Sequence, residues 1–121
     1  MPHILIIDDS PTEVQVFTRV LEKNGFRVSS ATTAEEGIAR VKRERPDLVI
    51  MDIIMPGMNG FQATRTLSRD EETSSIPILI VTTKAMESDR VWGLRQGAKD
   101  FLTKPVDSRD LLSRINCLLP N

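Results

Sequence analysis

The sequence predicts an α/β fold of the doubly wound kind, a five-stranded parallel sheet with five helices. Three observations carry that expectation. Short apolar runs, Ile4 to Ile7, Leu48 to Met51 and Ile78 to Val81, have the length and composition of strands buried on both faces. Between the strand-like runs lie stretches with apolar residues at helical spacing, several of them opening on a capping residue. Strand-like and helix-like segments alternate along the chain, as crossover connections in a parallel sheet require.

The bulk composition is consistent with this. A chain of 121 residues is one ordinary domain and buries about two-thirds of its unfolded surface without staples. Forty per cent hydrophobic and 27% charged residues is globular composition, so residues 1–121 read as a single domain. No apolar run approaches the ~20 residues that span a bilayer. Met1-Pro2-His3 runs into a strand with no basic lead, unlike a signal peptide. Cys117 is the sole cysteine, which excludes an internal disulfide, and its helical pattern suggests a packed thiol. Together these features point to a cytoplasmic protein that does not engage membranes. A net charge of −1 gives no general attraction to nucleic acid. The basic run Arg40, Lys42, Arg43 and Arg45, interrupted by Glu44, reads as the solvated face and end of a helix.

Taken in order, Ile4 to Ile7 is the first strand and ends in Asp8-Asp9. Ser10 can cap the helix that follows, Pro11 suits its first position, and Glu13 can close a capping box. Val14, Phe17, Val20 and Leu21 form its apolar arc, and Asn24-Gly25 ends it. Phe26 to Ala31 is a second strand, less apolar and so nearer an edge. Thr33-Ala34-Glu35-Glu36 repeats the capping pattern, with Ile38 and Val41 inward and Pro46 closing the helix. Leu48 to Met51 delivers Asp52, and Pro56-Gly57 then turns the chain.

Gly60 to about Asp70 carries Phe61, Ala63, Thr64 and Leu67 as a third helix, followed by a polar loop. Pro77 opens a buried fourth strand that runs to Thr82-Thr83, placed where a missing N–H is tolerated. About Ser88 to Gln96 forms a fourth helix, with Val91, Leu94 and then Ala98 on its inward side and Gly97 as terminator. Trp92 lies beside that arc and is expected to pack against Val91. Lys99 to Thr103 is the fifth strand, and Lys104-Pro105 turns out of it. Asp107 or Ser108 caps a last helix holding Leu111, Leu112, Ile115, Leu118 and Leu119. His3 reads as a strand-start residue, and Met51, Met55 and Met58 as core and loop packing.

Polar groups fall at four strand ends: Asp8 and Asp9, Asp52, Thr82 or Thr83, and Lys104. In a parallel sheet those ends share one rim, where open α/β sheets bind ligands. Two carboxylates ~4 Å apart repel by about 4 kcal/mol at an effective dielectric near 20. One lysine cannot neutralise three acids, so a divalent cation is the expected missing partner. With oxygen donors and neither His nor Cys at the rim, that ion is hard: Mg²⁺, or Mn²⁺ in its place. Mg²⁺ commonly keeps several waters and a substrate phosphate, so the site is expected to meet a phosphoryl group.

Asp8-Asp9, Asp52 followed by Met55-Pro56-Gly57 and Gly60, Thr82, and Lys104-Pro105 resemble the response-regulator receiver domains, the chemotaxis-protein type of flavodoxin-like fold. The resemblance covers the whole chain and implies the strand order 2-1-3-4-5. Asp9-Ser10-Pro11-Thr12-Glu13, Gly60 to Arg65, Val91-Trp92-Gly93 and Arg95 to Ala98 look like the stand-alone receivers of chemotaxis-like pathways controlling type IV pili and twitching motility. What this implies is a phosphoacceptor Asp52 that takes a phosphoryl group from a sensor histidine kinase. Asp8, Asp9, Asp52 and the backbone carbonyl of Ile54 are the implied Mg²⁺ ligands, Asp8 through water. Lys104 and Thr82 are the implied phosphoryl-binding groups, Thr82 being chosen over Thr83 because the family's switch hydroxyl directly ends the strand. Phe101 occupies the switch-aromatic position, where many relatives carry Tyr; a plain core phenylalanine is the other reading. Ile54 and Lys84 border the phosphoryl in the family and are expected to set its lifetime. Trp92 falls on a face where the family often docks partners, such as a downstream motility or pilus protein.

Other classes fit less well. A flavodoxin-like nucleotide-binding module holds phosphate on a Gly/Ser/Thr-rich loop after the first strand, and here that loop begins with two acids. An aspartyl phosphohydrolase needs a second acid two positions on, and position 54 is Ile. The expected protein is therefore no ordinary enzyme but a phosphoacceptor that assists its own phosphorylation and dephosphorylation. Its output is either partner binding or drainage of phosphate from a shared kinase.

Overall fold

Strands and helices alternate without exception through the computed structural model, which describes residues 1–120; Asn121, the end of the expected domain, lies outside the described residues. The elements are β1 (His3–Ile7), α1 (Pro11–Lys23), β2 (Arg27–Ala31), α2 (Ala34–Glu44), β3 (Leu48–Met51), α3 (Gly60–Arg69), β4 (Ile78–Thr82), α4 (Glu87–Arg95), β5 (Asp100–Thr103) and α5 (Ser108–Leu118). All four strand pairings are parallel, in the order β2-β1-β3-β4-β5.

Side-chain alternation splits the core in two. Leu5, Ile7, Val49, Met51, Ile78, Ile80 and Phe101 face α2, α3 and α4. Ile4, Ile6, Leu48, Ile50, Leu79, Val81 and Leu102 face Phe17 and Leu21 of α1 and Leu111 and Ile115 of α5. Each fully buried aliphatic chain contributes about 2 kcal/mol of transfer free energy, so the three central strands anchor the sheet. Strand β2, with Arg27, Ser29 and Ser30, pairs only with β1, the edge place its polarity implied.

The helix starts follow the sequence, with two shifts. Ser10 Oγ accepts from the Glu13 amide, but Ser10 N–H donates to Asp8 Oδ1, so Asp8 and not Glu13 completes that cap. At α2 the Thr33 hydroxyl accepts from Glu36 N–H, while Glu36 reaches back to the amide of Thr32. Among the described residues the one reciprocal capping box is at α3, between Asn59 and Gln62, a pattern not read from the sequence.

Two expectations are corrected. Val91 is 41% exposed, so it does not form the packing stripe of α4, and Trp92 beside it is 48% exposed. Gly93 is the buried residue there; a Cβ on it would come within 2.9 Å of Ile80 Cδ1 and 3.2 Å of the Phe101 ring. The bare glycine lets the helix backbone rest on the sheet, which leaves its larger side chains outside. Cys117 is exposed, because α5 buries Leu111 and Ile115 and position 117 falls on the other side of that helix.

His3 begins β1 as expected, 6% exposed. Its amide donates to Asp47 Oδ2, Nε2 contacts Ser29 Oγ at 2.7 Å, and Nδ1 is buried without a partner. Burial first, with the nearby Arg27 charge, holds this imidazole below its ordinary value of 6.5, against the pull of Glu44 and Asp47. The unfolded chain therefore takes up this proton more readily than the folded one. Stability that is present above about pH 6.5 is lost as the pH falls through that value. Because His3 is the chain's only histidine, one imidazole NMR titration reads it: a midpoint below 6.5 is expected, and a midpoint at or above 6.5 contradicts the burial argument.

Gly60 fixes the chain beyond β3. Its amide donates to Ile53 O at 3.0 Å, and a Cβ on it would stand 2.0 Å from the carbonyl oxygen of Asp52. That contact is with backbone and cannot be relieved by a rotamer change. Gly60→Ala is expected to cost about 2 kcal/mol or more in urea unfolding; an unchanged midpoint would show that the two segments separate freely.

Candidate functional site

The rim over the carboxyl ends of the strands is set by backbone pairing. Ile7 lies opposite Met51 in the β1–β3 register, so Asp8 and Asp52 emerge level with each other. Asp52 N–H donates to Ile7 O, Asp8 N–H to Ala31 O, and Lys104 N–H to Thr82 O. These bonds tie the end of β1 to those of β2 and β3, and the end of β5 to that of β4, where the segments leave the sheet. The Lys104–Pro105 peptide that follows is cis.

Asp8 is 2% and Asp52 7% exposed, whereas Asp9 is exposed. One oxygen from each of the three carboxylates lies within 4.8 Å of the others. Lys104 Nζ donates to Asp8 Oδ2 at 2.9 Å and to Asp52 Oδ2 at 3.2 Å. The same ammonium stands 3.9 Å from Glu13 Oε2 and 5.9 Å from the centroid of the Phe17 ring. The opposite oxygens are held by main chain: Asp52 Oδ1 accepts from the Ile53 and Ile54 amides, and Asp8 Oδ1 from Ser10 N–H.

Burial pushes the Asp8 carboxyl above its ordinary range; the Ser10 N–H and Lys104 oppose this, and the charge of Asp52 adds to it. For Lys104 burial works to lower the value, but the hydrogen bond to Asp8 and the charges of Asp52 and Asp8 outweigh it and hold the ammonium above its usual range. The two directions agree physically. One cation among more anions is over-satisfied, and the anions are under-neutralised.

The donor set suits a small hard cation. It is all oxygen, it is anionic, and its atoms lie close enough for one ion to touch them directly or through water. Asp8 and Asp52 are both buried and share a single ammonium, which leaves anionic charge that such an ion would offset.

The other expected residues are placed as follows. Thr82, fully buried, ends β4, and its Oγ1 accepts from Lys84 N–H at 3.4 Å; Thr83 is exposed. Ile54 turns its side chain outward, 54% exposed, beside Asp52. Lys84 Nζ lies 3.7 Å from Asp89 Oδ1 in α4 and forms no ion pair with a rim carboxylate among the described residues. Phe101 is 5% exposed beneath Gly93, inside the sheet-and-helix core. Glu13, Phe17 and Asp89 were not read from the sequence as site residues. For Glu13 the capping pattern offered a sufficient local reason, and Asp89 gave no signal until α4 was placed. The loop after β1 presents the Asp8 carboxylate to the Ser10 amide, where a phosphate-binding module would leave its amides open.

Comparison with known proteins agrees with this geometry. The family model for the response regulator receiver domain matches residues 4–116. The chain is 58% identical to Protein PilH of Pseudomonas aeruginosa over 119 residues, covering 98% of both. It is 39% identical to the DNA-binding dual master transcriptional regulator RpaA of Synechocystis, spanning about half (49%) of that longer protein. Among solved structures it superposes on the chemotaxis protein CheY4 of Vibrio cholerae with a TM-score of 0.92 at 29% identity, covering 98% of this chain and 99% of that one. A CheY-like receiver domain protein from Methanospirillum hungatei gives 0.89 at 32% identity, covering 96% and 91%. With the acids, the lysine and the threonine gathered on one rim of a 2-1-3-4-5 sheet, this chain belongs to the response-regulator receiver family.

Proposed function

We propose that the chain acts as one receiver unit in which Asp52 is the phosphoacceptor. The observation that carries this is the Lys104 ammonium shared by Asp8 and Asp52, with Asp9 alongside. A carboxylate oxygen of Asp52 attacks the phosphorus of a phosphohistidine on a sensor kinase; the P–O bond forms as the P–N bond breaks and the imidazole departs. Lys104, kept protonated by its acidic neighbours, pairs with a phosphoryl oxygen. Asp8, Asp9, Asp52 and the Ile54 carbonyl are the groups that would hold Mg²⁺ or Mn²⁺, which when bound offsets charge on the phosphoryl group. Thr82 turns its hydroxyl from the Lys84 amide to the phosphoryl, and Phe101, in contact with α4 through Gly93, registers that shift.

The reading extends to pathway with less direct support. Identity of 58% to PilH over nearly the whole chain favours a type IV pilus or twitching-motility role, with a chemotaxis-type histidine kinase as donor. Output is binding of a motility or pilus component, or drainage of phosphate from a shared kinase. The chain releases its own phosphate by hydrolysis but turns over no separate substrate. A cytoplasmic place suits this role, and no helix among the described residues is long and apolar enough to cross a membrane.

The test is incubation with acetyl phosphate and Mg²⁺ followed by peptide mass spectrometry. One phosphoryl adduct on the peptide carrying Asp52, lost in Asp52→Asn, is expected; ligand uptake with no covalent gain would favour a flavodoxin-like binder instead. The exposed aliphatic Ile54 offers no hydrogen bond to an attacking water, so Ile54→Asn is expected to shorten the phosphoryl lifetime several-fold. An unchanged rate would remove Ile54 from that role.

A further inference from the structure

The capping pattern predicts that Glu13 closes the start of α1, but Asp8 takes that place. Ser10 N–H donates to Asp8 Oδ1, so the Glu13 carboxylate is left out of the cap while its own amide stays bonded to Ser10 Oγ. Its Oε2 stands instead 3.9 Å from Lys104 Nζ, on a side chain 42% exposed. Phe17, one turn further along α1, faces the same ammonium with its ring centroid 5.9 Å away. An ammonium has three N–H donors. Asp8 and Asp52 take two of them, at 2.9 and 3.2 Å. The third has no acceptor within hydrogen-bonding distance among the described residues; Glu13 is the next anion, too distant to bond it.

That third donor is the one a phosphoryl oxygen can take while the contact with Asp8 stays intact. Glu13 attracts it without satisfying it, and the same carboxylate repels an incoming phosphoryl group by like charge. Glu13 is also not one of the acids that converge within 4.8 Å, so its charge is left over when a metal ion offsets theirs. Resting on the reading of Asp52 as phosphoacceptor, we propose that Glu13 is a positioning residue that competes with the phosphoryl group for Lys104. The consequence is a bias toward the free state. One carboxylate on α1, a helix that holds none of the reacting groups, weakens phosphoryl capture and favours release.

Binding of beryllium fluoride, a phosphoryl mimic, at saturating Mg²⁺ reads the competition. In low salt Glu13→Gln is expected to tighten it on the order of threefold, the scale of a partly exposed ion pair. The gain should shrink in about 1 M salt, where the screening length falls to ~3 Å. Glu22→Gln, the same change of charge near the far end of α1, should leave affinity unchanged. Loosening of the helix start by loss of an acid from its first turn would weaken binding, so the sign separates positioning from mere structure. Without Mg²⁺, a double-mutant cycle of Glu13→Gln and Lys104→Gln in urea unfolding should show favourable coupling of the two side chains. Affinity unchanged or weakened by Glu13→Gln, a gain equal in high salt or in Glu22→Gln, or no coupling to Lys104 overturns the competition. No beryllium fluoride binding to the wild-type chain, or binding that Asp52→Asn leaves intact, overturns the reading of Asp52 itself, and the proposal with it.

Discussion

The arrangement rests on one lysine ammonium lodged between two buried carboxylates. Bringing Asp8 and Asp52 together out of water costs several kcal/mol by repulsion and desolvation, and Lys104 offsets part of it at 2.9 and 3.2 Å. The offset is incomplete by construction, since Asp9 and Glu13 add negative charge around the same cation. A site built with an uncompensated anionic surplus is ready to accept positive charge. That surplus, not any single residue, suits it to a hard ion and a phosphoryl group in transit.

The fold supplies the force that keeps the acids together. Ile4 to Ile7, Leu48 to Met51 and Ile78 to Val81 are nearly water-free on both faces, so the strands cannot slide without exposing a core face. Main-chain hydrogen bonds from Asp8, Asp52 and Lys104 carry that rigidity past the strand ends. Gly60 extends it into the loop by admitting the Asp52 carbonyl where any Cβ would collide. The Lys84 loop and the start of α4 are instead held by a long hydrogen bond and a partly exposed ion pair. Rigid placement of the chemistry and weak tethering of its neighbours sit on the same rim.

Much of this was legible in the sequence for a definite reason. Strands buried on both faces read as uninterrupted apolar runs, so their polar end residues stood out and the parallel topology put them on one edge. The edge position of β2 was readable from Arg27, Ser29 and Ser30. Helix α4 was misread because periodicity assumes that large side chains face inward, and here Gly93 does so while Val91 does not. Cys117 was read as packed because it sits in a helical pattern, without applying the register that Leu111 and Ile115 impose on α5. The contact of Lys84 with Asp89 depends on the angle at which a loop enters a helix, which no spacing rule supplies.

The dependence of folding stability on Mg²⁺ tests the crowding of charge most directly. Unfolding of the wild-type chain with and without Mg²⁺ should differ by about 2.7 kcal/mol when the ion is at a hundred times its dissociation constant, and Asp9→Asn should lose nearly all of that gain. Equal stability of the wild-type chain in the two conditions, or an undiminished gain in the variant, would mean that the acidic rim is not a cation site.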